Sequence, residues 1–143
     1  MSGQDLDAAI RDIEDEFALF SDWEERYAHV IDLGRAAPPL SDQEKTEANR
    51  IRGCASQVWL VSAFDPATGR LTFRGDSDAY LVRGLVALLV GLASDRTPAD
   101  VLTLDARALM ARLGLDEALT PQRSNGLTAL VARMRAEAEA ALA

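Results

Sequence analysis

A chain of 143 residues, 48% of them hydrophobic, is long enough to bury one core without disulfides or a structural metal, and it is read as a single domain over residues 1–143. A formal charge of -8 argues against attraction to nucleic acid, which relies on clustered Lys and Arg to neutralise phosphates. One cysteine, Cys54, and one histidine, His29, exclude an internal disulfide and the ligand sets that zinc or iron-sulfur clusters require.

The start, Met1-Ser2-Gly3-Gln4-Asp5, is polar and lacks the basic, apolar and small-residue succession of a signal peptide, so a cytoplasmic protein is expected. Leu6, Ile10, Ile13, Phe17 and Phe20 recur at spacings of three and four and predict a first amphipathic helix. Ser21 followed three residues later by Glu24 fits a capping box for a second, with Trp23, Tyr27, Val30 and Ile31, ending near Gly34 before Pro38-Pro39. Leu40 to Arg52 is nearly all polar and reads as a surface loop with at most one helical turn, and Ser41 to Arg52 has a composition able to move.

Gln57 to Asp65 and Arg70 to Arg74 read as strands, joined into an antiparallel hairpin by Pro66-Ala67-Thr68-Gly69. Gly75-Asp76-Ser77-Asp78 is read as capping a helix through Ser94. Its segment Leu81 to Ala93 is strongly apolar yet contains Arg83 and is too short to span a bilayer, so no membrane association is expected. Thr97-Pro98 and Thr120-Pro121 mark the starts of a short helix and of a long C-terminal one. Helices, then strands, then helices give an α+β fold, a small antiparallel sheet packed with helices from both flanks.

The functional signal lies in Asn49-Arg50-Ile51-Arg52-Gly53-Cys54-Ala55-Ser56-Gln57-Val58-Trp59-Leu60. A cysteine kept for packing sits inside a hydrophobic run, whereas Cys54 follows Gly53 and precedes small or polar residues, as a nucleophile at a loop tip does. Arg50 and Arg52 are close enough in sequence to favour a thiolate, and burial would oppose them. Trp59, Phe73, Val58 and Leu40 are candidates to wall a pocket around the sulfur. His29, among Tyr27, Val30 and Ile31, is read as structural.

These pieces in this order resemble the SufE family of sulfur-acceptor proteins. The matching stretches are Trp23-Glu24-Glu25-Arg26-Tyr27, Ile31-Asp32-Leu33-Gly34, Gly53-Cys54-Ala55-Ser56-Gln57-Val58-Trp59, Gly75-Asp76-Ser77-Asp78-Ala79, Leu119-Thr120-Pro121 and Arg123-Ser124-Asn125-Gly126-Leu127. Members commonly have a larger polar residue where this chain has Ala55.

The resemblance implies an α+β fold like that of the cluster scaffold IscU without its metal-ligand cysteines. It also implies that Cys54 receives sulfur as a persulfide, with Asp78 and Arg123 near the active loop or partner surface; Arg50, Arg52, Gly53, Ser56 and Gln57 are further loop and partner-surface candidates. The partner would be a SufS-like or CsdA-like cysteine desulfurase, itself dependent on pyridoxal phosphate, and the downstream recipient an iron-sulfur scaffold complex. No cofactor is expected on this chain, which would act as a covalent carrier rather than a stand-alone enzyme. Two other readings stay open: a thiol-dependent hydrolase or peroxidase using Cys54, and a noncatalytic module that regulates a desulfurase by docking.

Overall fold

The computed structural model describes residues 5–54, 56–116 and 119–143; Ala55 lies outside them. Helix α1 (Leu6–Ala18) is capped by Asp5, whose carboxylate accepts the Ala8 N–H at 2.8 Å, and it buries the stripe Leu6, Ile10 and Phe17. It stops before Phe20. Helix α2 (Trp23–Ala36) is capped by Asp22, one residue later than the sequence suggested: Asp22 accepts the Glu25 N–H at 2.9 Å, while the Ser21 hydroxyl donates to the Glu25 carboxylate. The helix also runs past Gly34, because that glycine serves a helix crossing and not a helix end. A Cβ on Gly34 would lie 2.7 Å from the Gly84 nitrogen.

Strands β1 (Val58–Asp65) and β2 (Arg70–Ser77) form an antiparallel hairpin in which Val58 faces Ser77 and Asp65 faces Arg70. Gly69, at φ +71, supplies the left-handed turn residue. Here the structure corrects the reading of Gly75-Asp76-Ser77-Asp78 as a cap. Gly75, Asp76 and Ser77 continue β2, and helix α3 (Tyr80–Ala93) begins after Ala79 with no side-chain cap. The physical reason is proximity: a Cβ on Gly75 would meet Val86 at 2.6 Å and Val90 at 3.2 Å, so β2 lies directly on α3 at this point.

The segment from Leu40 to Arg52 is tied down more firmly than its composition suggests. Ile51 N–H donates to the Val58 carbonyl and Leu60 N–H to the Asn49 carbonyl, both at 2.8 Å, so a short stretch pairs with the free edge of β1. Beneath it Asp76, 2% exposed, accepts the Leu40 N–H at 3.0 Å and lies 3.7 Å from the Lys45 ammonium and 3.3 Å from the Arg83 guanidinium. Glu44 pairs with Arg74 of β2, and Arg133 donates to the Ala48 carbonyl at 2.6 Å. A hydrogen bond from the Arg74 guanidinium, then one from the Ser41 backbone, lowers the Glu44 carboxyl to about 2.

Short helices α4 (Pro98–Val101) and α5 (Ala106–Arg112) follow, then the long α6 (Pro121–Leu142). Thr97 and Thr120 cap α4 and α6 ahead of their prolines, as the sequence indicates. Asp105 caps α5, a helix the sequence reading did not separate. The core, with Phe17, Val30, Leu85, Leu89, Leu130 and Met134 fully enclosed, joins α1, α2, α3 and α6 around the sheet. Fold class and element order agree with the α+β expectation. Among the described residues no helix is long and apolar enough to cross a membrane.

Candidate functional site

Two anchors hold the ends of the tip that bears Cys54. On the incoming side Ile51 is paired to Val58; on the outgoing side Gln57 and Asp78 exchange two hydrogen bonds. The Gln57 N–H donates to the Asp78 carboxylate at 2.9 Å and the Asp78 N–H to the Gln57 carbonyl at 3.2 Å, while the Ser77 hydroxyl adds a third bond to that carbonyl at 2.8 Å. Gly53 turns the chain at φ +88, a conformation that costs glycine nothing and other residues a great deal. Gly53 and Cys54 thus lie between two anchored ends of the chain.

Cys54 is half-buried, and its thiol points into a cleft. Val82, Leu85 and Val86 of α3 form one wall, and Gly126, Leu127 and Leu130 of α6 the other. Val58 lies at the base, and Ser56, Gln122 and Arg123 add the polar lining. Gly126 is what admits the sulfur, since a Cβ there would stand 2.9 Å from Sγ. Measured as space for the centre of a water-sized sphere, the cavity is about 20 Å³.

Burial pushes the Cys54 thiol above its ordinary pKa, and the positive charge of Arg50 opposes the shift less strongly. The thiol therefore rests protonated at neutral pH. This settles the competition that sequence left undecided: desolvation outweighs the arginine.

Of the residues singled out in sequence, Ser56 and Arg123 line the cleft with Cys54, and Gln57 and Asp78 clasp its loop. Arg50 and Arg52 turn toward Glu47, at 3.7 and 2.8 Å. Three of the four proposed pocket walls are placed elsewhere. Only Val58 lines the cleft; Trp59 packs its ring 5.3 Å beneath the Lys45 ammonium, and Leu40 and Phe73 are buried in other parts of the fold. A strand alternates its side chains between faces, so Val58 and Trp59 cannot both face the sulfur.

The walls contributed by α3 and α6 were missed because their apolar periodicity marks a core without saying which gap it borders. Gly126 left one usable trace, since glycine inside a helix costs roughly 1 kcal/mol relative to alanine and invites a search for a close contact. His29 bonds Glu16 at 3.0 Å and stacks with Phe17 and Phe20, outside the cleft. Among the described residues no three His, Cys, Asp or Glu side chains converge as a metal site.

Comparison with known proteins adds the family. The model of the SufE Fe-S metabolism associated domain matches residues 11–138. An uncharacterized SufE-like protein of Rhizobium etli is 45% identical over 134 residues, 92% of this chain and 90% of its own. Another, from Rhizobium meliloti, is 42% identical over 135 residues, 91% of this chain and 94% of its own. The solution structure of a hypothetical protein from Thermus thermophilus superposes with a TM-score of 0.71 over 96% of this chain and 95% of that one, and at 21% identity it speaks for the fold alone. With the family model covering nearly the whole chain and relatives above 40% identity over most of it, the protein belongs to the SufE family and takes part in iron-sulfur metabolism.

Proposed function

We propose that this protein is a cytoplasmic sulfur acceptor for a cysteine desulfurase, with Cys54 as the covalent carrier. The reading is supported chiefly by one observation: the lone thiol sits in an apolar cleft whose described lining holds no histidine and no carboxylate. A hydrolase or peroxidase needs a base oriented on its nucleophile, and none is found there. A carrier needs shelter for a reactive sulfur and a second protein to complete the chemistry.

The step is thiol exchange. The Cys54 thiol loses its proton, and its sulfur bonds to the terminal sulfur of the desulfurase's persulfide. The S–S bond of that persulfide breaks, the desulfurase thiolate leaves with the electron pair and takes up the proton, and Cys54 becomes the persulfide. Nothing is oxidised or reduced overall. No cofactor is needed on this chain, and pyridoxal phosphate belongs to the partner. With no second cysteine to attack it, the persulfide waits for an outside acceptor in the cluster-assembly machinery.

The elevated pKa fits this division of labour, because the thiol stays inert until docking draws the tip out of the cleft. Arg123, on the cleft's polar side, and the Gln57–Asp78 clasp are the elements a docked partner would act on. Incubation with a cysteine desulfurase and cysteine, followed by intact mass, tests the proposal: one added sulfur on Cys54 is expected, and Cys54→Ser should abolish stimulation of turnover. Stimulation without any mass gain would instead establish a regulator that works by docking alone.

A further inference from the structure

We infer that Gly126 is a positioning residue for Cys54: by lacking a side chain it lets the sulfur rest turned inward against α6, an orientation that must change before the sulfur can meet a partner. The inference deepens the sulfur-acceptor reading and rests on it for its consequence in the reaction. Helix α6 meets the cysteine loop along one face. Gly126, Ala129 and Arg133 recur at spacings of three and four, which puts them on one side of the helix. Arg133 donates to the Ala48 carbonyl at 2.6 Å, and a Cβ on Gly53 would lie 4.0 Å from the Ala129 Cβ. Only Gly126 touches the reactive atom, since a Cβ there would stand 2.9 Å from Sγ.

The distances within that contact separate the thiol from its loop. From the same virtual Cβ the Cys54 Cβ is at 3.5 Å and its Cα at 3.6 Å, both ordinary van der Waals separations, whereas the approach to Sγ is too close to exist. A methyl group at 126 is therefore compatible with the loop's backbone and incompatible with one rotamer of one side chain. Rotation about χ1 to another staggered well carries Sγ out of the notch and leaves the backbone in place. The inward rotamer requires glycine in the interior of a 22-residue helix, where alanine is the better helix former.

Turned inward, the thiol is latent. The charged groups around it are Arg50 of its own loop and Arg123 of α6, while α3 lends only the aliphatic Val82, Leu85 and Val86 to the described lining. In the acceptor reaction the Cys54 sulfur bonds to the terminal sulfur of the desulfurase's persulfide, and α6 occupies one side of Sγ. Docking has to turn the sulfur out before that bond forms. A protein whose competent form is only fractionally populated binds its partner more weakly by that fraction, so Gly126, acting through Cys54, weakens docking in exchange for a sheltered thiol.

The test compares the whole wild-type chain with Gly126→Ala by iodoacetamide alkylation across pH, followed by intact mass. Gly126→Ala should react at least about threefold faster at neutral pH, as expected when a minor orientation becomes the main one, with its midpoint lowered toward the ordinary thiol value and circular dichroism unchanged. With a cysteine desulfurase it should reach half-maximal stimulation at a lower concentration. A folded variant that keeps the wild-type rate and midpoint would overturn the inference.

A double-mutant cycle in stability supplies a second measurement, because Cys54→Ala removes the atom that Gly126 accommodates. Gly126→Ala should be less favourable to stability in the wild type than in the Cys54→Ala protein, and equal effects in both would refute the inference. Should Gly126→Ala alone fail to fold, adding Cys54→Ala should restore the fold, and failure of both would refute it as well. Alkylation that separates wild type from variant, in a protein that takes no sulfur from a desulfurase, would refute the acceptor reading and leave the positioning role standing.

Discussion

At Cys54 two opposing influences act on one proton. Burial raises the thiol's pKa, Arg50 lowers it, and burial prevails. The sign of the consequence is definite. A thiol with a raised pKa in the folded state favours the protonated form there, so its contribution to stability is complete below the ordinary thiol value and is lost as pH rises through the folded one. Alkylation of Cys54 by a small reagent should be slow at neutral pH and accelerate with a midpoint above the 9.0 of an ordinary thiol. Arg50→Ala should slow it further at any pH below that midpoint. Stopped alkylation assays across pH, with the denatured protein as reference, check both; a midpoint at or below the ordinary value would contradict the burial argument. Cys54 was visible from its polar, glycine-marked surroundings, and Asp78 and Arg123 through the family resemblance. The sequence could not display Gly126 against Sγ, since contact between positions 54 and 126 depends on how α6 lies across the loop.

Between elements, Asp76, Arg74 and Arg133 tie down Leu40, Glu44, Lys45 and Ala48, so the polar stretch is held more firmly than its composition had marked. Composition reports solvation and says nothing of a buried aspartate some thirty residues away that gathers the backbone and side chains of the loop. The tip's outgoing end rests on Asp78. Asp78→Arg removes the acceptor for the Gln57 N–H and should raise the rate at which a bulky thiol reagent labels Cys54, with circular dichroism unchanged. Equal rates in variant and wild type would mean that the clasp does not control access.

The α2–α3 crossing makes a sharper demand. A Cβ on Gly84 would stand 2.0 Å from the Val30 carbonyl oxygen and 2.6 Å from its carbon, which are backbone atoms with no room to retreat. Alanine at this position gains about 1 kcal/mol in helix propensity. It should still lose at least about 3 kcal/mol overall, because overpacking against backbone exceeds that gain. Urea unfolding measures the difference. The sequence held the fold's order in its periodicities, caps and prolines, and hid this crossing because a glycine near a proline pair reads equally well as a helix terminus.

For the whole molecule, a single thiol placed between a strand-bound loop and the last helix means that any disulfide it forms must link it to another molecule. A thiol oxidant such as diamide should leave the native protein largely monomeric and produce covalent dimers quickly once denaturant opens the cleft. Nonreducing gels distinguish the two states, and rapid dimerisation of the native protein would show that the cleft offers no protection.

The hairpin's edges bear on a different hazard. Outside β1 lies the stretch of residues 49–51, and outside β2 the Leu71 backbone is paired with Arg96 while Ser94 accepts the Phe73 N–H. Unpaired strand edges are templates for strand addition between molecules, and here Val58 and Leu60 of β1 and Leu71 and Phe73 of β2 are occupied by short segments of the same chain. The pairs between residues 49–51 and 58–60 close the foot of the cysteine loop, so an opening of the loop that leaves them in place uncovers no further strand edge on which a second molecule could add.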